Sequence, residues 1–374
     1  MPENDLVDND IYVAPGMPPL DMSGKQTSFF EFWPAWAMYF PVVVQSLAMA
    51  LRYRSLMLPL IANPKIPLSG MVGVGKSELM SQARGECDTA ILSWFLFEVT
   101  ASHAGDQAAV IERRMLDHQL TYPLVCKPDI GCRGVGVKLV NNRSELEGVL
   151  RDFPAQANVI FQRLAQWEPE AGVFYVRHPQ ESEGRIISMA LKYMPYVAGD
   201  GKSTLRQLIA QDRRAGELSH LYLQRHEASL GKVIDEGETF RLIFAASHSR
   251  GAIFRDANDE ISAAMTTKVD QLMQQLPEFY YGRLDIKFRD LDSLKNGENF
   301  EIVEINCASS ESLHIWDRRA KFSDAIRSLL FQYKTLFLLG AENRRRGYRP
   351  PRFLTLLRAW KKERQLTRLY PETD

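Results

Sequence analysis

Arg283, Asp285, Glu304 and Asn306 are the residues of this 374-residue chain whose types and spacing point most directly to chemistry. They fall in two short runs, Tyr281 to Lys287 and Glu301 to Asn306, that alternate apolar residues with charged ones. That period of two is the mark of a half-buried β-strand. Ser293 and the run Lys295-Asn296-Gly297-Glu298-Asn299 form a turn-rich insert between the runs, so the spacing predicts an antiparallel pair. Asp285, Glu304 and Asn306 each occupy an alternate position and can share one face. Two carboxylates and an amide oxygen make a hard, all-oxygen set suited to Mg²⁺ carrying a nucleotide's phosphates. Arg283, two residues before Asp285, points the same way and is placed to neutralise a developing oxyanion. The same spacing also describes a solvated strand face whose charges pair across the hairpin, and the pattern alone leaves both readings open.

A second group of residues suits phosphate. Leu124-Val125-Cys126-Lys127-Pro128 reads as a short strand carrying one lysine, and it leads into a turn containing Gly131, Gly134 and Gly136. Strand, glycine-rich turn, strand describes a flap whose backbone N–H groups can fold over phosphates. A tight hairpin needing glycine for its φ values is the plainer alternative. Upstream, Gly70 to Ser77 matches the phosphate-loop pattern G-x-x-x-x-G-K-[ST] letter for letter. Its context does not fit: Asn63-Pro64-Lys65-Ile66-Pro67 stands where a buried strand is needed, and proline does not sit inside one. The helix predicted after it, 77–84, stops at Gly85.

Around these groups the periodicity predicts an α+β chain. Strands are expected at 89–99, 158–164 and 185–193, with two more between 240 and 254. Helices are expected at 106–120, 144–153 (capped by Ser144), 204 onward, 261–276 and 320–339. His226 and His248 have no partner at metal spacing and read as ordinary surface or hydrogen-bonding residues.

Taken in order, these pieces resemble the ATP-grasp superfamily, in particular its D-alanine–D-alanine ligase and cyanophycin-synthetase-like branches, over about residues 76 to 320. The resemblance implies two α/β subdomains clamping ATP. It places Lys127 on the nucleotide, the flap of Gly131, Gly134 and Gly136 over the phosphates, and Lys76 as an earlier ATP-contacting lysine. Gln162, Arg163, Leu164 and Ala165 correspond to the hinge beside adenine, Glu170 to the ribose carboxylate, and Lys192 to a further phosphate-binding lysine. Arg283 corresponds to the oxyanion arginine, Asp285, Glu304 and Asn306 to the metal ligands, and Ser309 and Ser310 to the loop that meets the substrate carboxylate. The implied activity is ATP-dependent joining of a carboxylate to an amine through an acyl phosphate. The implied cofactors are ATP and two Mg²⁺ ions, with Mn²⁺ as a substitute. The implied partners are small-molecule acids and amines, amino-acid- or peptide-like. Two departures stand out: residues 1–75 show no βαβ pattern, and the flap carries Cys132-Arg133 where serines are common.

Composition sets the remaining bounds. The 46 basic and 46 acidic residues cancel, so no global field draws the chain to nucleic acid. The four cysteines show no C-x-x-C spacing and read as reduced thiols of a cytosolic protein. The first 25 residues read as a disordered tail without a secretory signal. Residues 26–75 form an aromatic and apolar segment, 76–335 the ATP-grasp unit, and 336–374 a basic amphipathic helix with ten basic residues against one acidic between Arg344 and Arg368. The stretches 29–54 and 344–368 each suit a membrane surface at the inner face, and each also suits packing on the body; the uncharged run 35–51 is in addition at the short end of what spans a bilayer, weakened by Pro41, Gln45 and Ser46. A homo-oligomer is compatible with the sequence. Two other functions fit: a nucleotide-binding membrane-surface scaffold without turnover, and a P-loop NTPase built on Gly70 to Ser77.

Overall fold

The computed structural model describes residues 12–23, 26–31, 33–131, 134–245 and 250–373. Two antiparallel sheets dominate it, and helices back each. The first is built from β1 (Trp94–Glu98), β2 (Leu124–Pro128), β3 (Lys138–Val140) and β4 (Asn158–Arg163) in the order β1-β4-β2-β3. Alternate residues of these strands (Phe95, Phe97, Leu124, Cys126, Val159, Phe161) form one core with the helices Ala104–Asp117 and Arg143–Asp152. The intervening residues, Lys127 and Gln162 among them, face the other way, as a period of two requires.

The second sheet contains β5 (Glu170–Val176), β6 (Arg185–Tyr193), β9 (Ile253–Asp256), β10 (Tyr281–Phe288) and β11 (Phe300–Asn306), ordered β11-β10-β5-β6-β9. β7 (Tyr196–Ala198) and β8 (Thr239–Arg241) make a separate two-stranded ribbon. Ala171, Val173, Leu284, Ile286 and Phe288 lie on one face and pack against Met265, Val269 and Leu272 of the helix Ala263–Met273. That leaves Glu170, Gly172, Arg283, Asp285 and Lys287 on the opposite face.

The two sheets meet along β11. Lys127 Nζ and Gln162 Nε2 both donate to the Val303 carbonyl, at 3.1 and 3.3 Å. The Leu92 amide donates to Ile302. The floor between the sheets is therefore charged and polar, while both apolar faces are covered by helices.

Several boundaries differ from the sequence expectation. Residues 85–90 are helical, so the first strand begins only at Trp94. The helix from Arg143 is capped by Asn142, whose side chain accepts from the Glu145 amide, and not by Ser144. The helix Phe322–Arg345 runs one and a half turns past its expected end, where Asn343 donates to the carbonyls of Ile61 and Ala62. Residues 12–23, expected to be disordered, lie on the body: Tyr12 donates to Glu168 and Met22 joins the main core. Cys132, Arg133 and His248 lie outside the described residues. Cys87 and Cys307 are buried free thiols, and Cys126 is buried in the core of the first sheet.

Residues 35–53 form one helix whose inner side, Met38 and Val42, is buried against Phe322–Arg345. Among the described residues, no helix is long and apolar enough to cross a membrane.

Candidate active site

β10 and β11 are neighbours in antiparallel register, with Asp285 opposite Glu304 and Arg283 opposite Asn306. Directly opposed residues project from the same face, so the four side chains converge as their spacing predicts. The Asp285 carboxylate receives Arg283 Nε at 2.8 Å, Arg283 Nη2 at 3.1 Å, Asn306 Nδ2 at 3.1 Å and Lys192 Nζ at 3.0 Å. Burial alone would raise its pKa, but Arg283 and Lys192 outweigh that and hold it at about 2. Because the Asn306 amide donates its N–H to Asp285, its oxygen is left as an acceptor. Gly172 makes the crossing possible. It sits opposite Asp285 on β5, and a β-carbon there would lie 2.7 Å from Leu313 and 3.3 Å from the Arg283 stem.

Arg283 also donates Nη1 to the Glu311 carbonyl at 3.0 Å. These three bonds leave two of the five guanidinium N–H groups for another acceptor. Its pKa is raised: burial works against the charge, and Asp285 more than compensates.

A second pair of ladders continues the charged face. Glu170 is opposite Lys192 on one side and Lys287 on the other. Its two oxygens meet Lys192 Nζ at 2.8 Å and Lys287 Nζ at 3.0 Å. Burial pushes the Glu170 carboxyl up, but the two ammonium groups pull it below its ordinary value. Lys192, whose charge burial disfavours, is held protonated by Asp285 and Glu170. Lys287 was not singled out from the sequence. The period-two signal was available, since it lies two residues beyond Asp285 on the same face.

From the first sheet, Lys127 reaches the same floor. Burial brings its pKa down to about 8, partly offset by the nearby Glu304 carboxylate. Lys76 closes the arrangement. Its Nζ donates to the Gly131 carbonyl at 2.8 Å, with longer bonds to Pro128 and Asp129, and lies 3.8 Å from a Glu304 oxygen. The glycine-rich flap thus faces the Asp285–Glu304–Asn306 set, with one lysine between them.

The remaining residues fall into place less uniformly. Gln162 donates to the carbonyls of Leu92 and Val303. Arg163 pairs with Glu301 at 2.6 Å, and the Gln166 amide donates to the same carboxylate at 2.9 Å, which fixes the hinge containing Leu164 and Ala165. Ser309 and Ser310 stand beside Asn306 in the chain, yet their hydroxyls are turned onto the backbone carbonyls of Gly70 and Cys307. Gly134 and Gly136 take left-handed backbone conformations in the flap, with φ of 71° and 73°. A small cavity beside Lys192 is lined by Tyr12, Met17, Glu168, Tyr193 and Tyr196. Asn63 was missed as well. It is fully buried, accepts from the Tyr280 and Tyr281 amides and donates to the Tyr281 carbonyl, and so anchors the start of β10.

The phosphate-loop match does not have phosphate-loop structure. Gly70 ends a short 3₁₀ turn and follows no strand, and the helix Lys76–Met80 has only five residues. The Lys76 and Ser77 amides already donate to Asp129, at 3.0 and 2.8 Å. Gly75 is a packing requirement: a β-carbon there would sit 2.3 Å from an Asp129 carboxylate oxygen.

No family model matches the sequence, and no curated protein does. Solved structures similar to the chain include a bifunctional glutathione synthetase from Pasteurella multocida, with 15% identity, TM-score 0.35, and coverage of 71% of this chain and 36% of that one. Another is a D-Ala:D-Ser ligase from Enterococcus faecalis, with 14% identity, TM-score 0.39, and coverage of 72% and 64%. A third is a D-alanine–D-alanine ligase from Coxiella burnetii, with 10% identity, TM-score 0.36, and coverage of 78% and 63%. The chain spans about a third of the first of these and just under two thirds of the other two.

Proposed function

We propose that the protein is an ATP- and Mg²⁺-dependent ligase joining a small carboxylate to an amine through an acyl phosphate. The observation that carries this reading is the convergence of Arg283, Asp285, Glu304 and Asn306 on one strand-pair face, with Lys76 linking that face to the glycine flap. Lys76, Lys127, Lys192, Lys287 and Arg283 outnumber the carboxylates Glu170, Asp285, Glu304 and Asp129 around the floor. A cluster with that excess of positive charge suits a polyanion, and a nucleoside triphosphate with bound magnesium satisfies both signs.

The donor set fits Mg²⁺. Glu304, Asp285 and the Asn306 amide oxygen would hold the ion together with phosphate oxygens and water, and Asp285 would join it by giving up one of its bonds from Arg283, Lys192 or Asn306. Among the described residues no group of three or more His, Cys, Asp or Glu side chains is placed to hold a metal ion, and in this reading the amide oxygen and the nucleotide would supply the remaining donors. When bound, magnesium would neutralise charge on the transferring phosphoryl group.

The chain's own residues then do three things. Lys127 and Lys192 bind and orient phosphate oxygens. Glu170, with both oxygens in ion pairs, holds Lys192 and Lys287 in position. Arg283 offers its two remaining N–H groups to the tetrahedral oxyanion formed when the amine attacks the acyl carbon. In the first step a substrate carboxylate oxygen bonds to the γ-phosphorus and ADP leaves. In the second the amine nitrogen bonds to the acyl carbon, inorganic phosphate leaves and the nitrogen loses a proton. Such chemistry rests on alignment and charge neutralisation more than on a protein nucleophile.

The deciding experiment is ADP release on a pooled library of amino acids and small acids, with and without Mg²⁺. Metal-dependent ADP formation that requires both an acid and an amine is expected. Nucleotide binding with no turnover on any pool would instead favour a scaffold.

A further inference from the structure

The helix Ala35–Tyr53 packs by one side only. Met38 and Val42 are buried, and Gln45 donates to the Leu330 carbonyl of the helix beneath. Its other side presents Trp36 (75% exposed), Phe40, Val43, Val44, Leu47 and Leu51 (82% exposed). At 100° per residue these six fall within a stripe about 100° wide. Phe29 and Trp33, just before the helix, extend the apolar surface and pack at a tilt against Phe322. A continuous exposed run of this size marks a surface made for contact.

Charge decides what it contacts. No acidic residue occurs between Glu31 and Glu78, whereas Arg52 and Arg54 end the helix. Arg344 is fixed at the same end, donating to the Tyr53 carbonyl at 2.9 Å. A second copy of this helix would bring arginines and no carboxylate of its own to meet them. A bilayer with anionic headgroups offers both halves of the match: acyl chains for the stripe and phosphate for the arginines. Tryptophan and phenylalanine at one end and arginine at the other are the composition of a helix lying in the headgroup region.

The helix Phe353–Thr367 repeats this chemistry. Phe353, Leu354, Leu357 and Trp360 are exposed, with Lys361, Arg364 and Arg368 at the same angular positions in the following turns. Its opposite side faces the body through Ala359, against Gly73, and Glu363, which accepts from the Gly73 amide at 2.5 Å.

We propose that the protein docks on anionic membrane surfaces through the outer face of the helix Ala35–Tyr53, with Arg52, Arg54 and Arg344 at the headgroups. This stands on surface chemistry alone and does not depend on the ligase reading. The test is co-sedimentation of the full chain with phosphatidylglycerol/phosphatidylcholine vesicles and with pure phosphatidylcholine vesicles, alongside the urea unfolding midpoint in solution. Wild type is expected to bind the anionic vesicles at least tenfold more tightly, with binding that weakens as salt rises. The triple variant Trp36→Ser/Phe40→Ser/Leu47→Ser is expected to lose at least tenfold in partitioning while keeping a cooperative unfolding transition. Arg52→Gln/Arg54→Gln/Arg344→Gln is expected to flatten the salt dependence. If the triple variant does not fold, Trp36→Ser and Leu51→Ser singly give the same reading with a smaller loss. Absence of wild-type binding to anionic vesicles overturns the proposal. So does a concentration-dependent dimer that the triple variant abolishes without any change in vesicle binding.

Discussion

Lys76 Nζ sits 3.8 Å from a Glu304 oxygen while donating to the Gly131 carbonyl at 2.8 Å, so one ammonium joins the flap to the floor of the cleft. The neighbouring Ser77 does something different: its amide is held by Asp129. Replacing Lys76 by methionine removes a charged donor worth about 1.5–3 kcal/mol and should weaken ATP binding roughly 10- to 100-fold. Ser77→Ala should leave ATP binding and ADP release within about twofold, because only a phosphate loop needs that hydroxyl on magnesium. Isothermal titration of both variants separates the two readings, and a large loss in Ser77→Ala would restore the phosphate loop.

Asp285 and Glu304 face each other, yet their environments predict different costs of mutation. Asp285 is buried and accepts from Arg283, Lys192 and Asn306. Asp285→Asn leaves two buried cations short of a partner and should cost about 3–5 kcal/mol of stability. Glu304 is only partly buried and its one ion pair is the long contact to Lys76. Glu304→Gln should therefore change stability by less than about 1 kcal/mol while reducing ADP release by two orders of magnitude or more. Urea denaturation measured beside turnover checks both. A fully active Glu304→Gln protein would remove that residue from the metal site.

How much of this was legible in the sequence follows from which interactions are local. The period of two on Tyr281 to Lys287 was enough to place Arg283 and Asp285 on one face, and the turn-rich insert was enough to pair the strands, although a five-residue helix, Leu291–Lys295, sits inside it. Lys287 was readable by the same rule. Asn63 was not, because its partners, Tyr280 and Tyr281, lie more than two hundred residues away and nothing in its own neighbourhood signals them. The Gly70–Ser77 match was already doubtful from its proline-rich flank and short helix, but what its glycines do was not legible, because they answer to Cys307, Ala359 and Asp129, which are remote in sequence. Ser144 lost the cap to Asn142 through a two-residue shift in helix start, a common error at boundaries.

Two groups give opposite pH signatures. Asp285 has a folded pKa of about 2 against an ordinary 3.8, so the stability it confers is fully present above pH 4 and is lost as pH falls from 4 toward 2. That amounts to about 2 kcal/mol. Lys127 is depressed to about 8 from 10.5. Between those values the unfolded chain holds a proton that the folded chain has released, so unfolding free energy should rise with pH by up to about 3 kcal/mol. Over the same range ATP affinity should fall as the ammonium is lost. In Lys127→Arg, which stays charged, the affinity should become independent of pH between 7 and 9.5. Unfolding midpoints and ATP titrations across pH 7–10 test both signs. A wild-type affinity that is flat through pH 8 would mean that Lys127 does not contact the nucleotide.

The chain's last residues hold the flap. Thr373 Oγ1 donates to the Gly134 carbonyl at 2.5 Å and accepts from the Gly136 amide at 3.0 Å. Tyr370 packs against Phe153 with ring centroids 5.8 Å apart, and a β-carbon added at Gly131 or Gly136 would lie 3.6 or 3.3 Å from it. If, as proposed, ATP enters beneath the flap, lifting it breaks these contacts first. At about 1 kcal/mol for each hydrogen bond, removing both makes the lifted form about thirtyfold more populated. Removal of residues 369–374 should therefore raise amide exchange across the described flap residues 134–137 and speed nucleotide association and release, with a lowered unfolding midpoint from the loss of Tyr370 against Phe153. Thr373→Val, which keeps the shape and deletes only the hydroxyl, should reproduce most of the change. Hydrogen exchange followed by mass spectrometry measures it directly, and flap protection that is the same in all three proteins would show that the tail rests on the flap without restraining it.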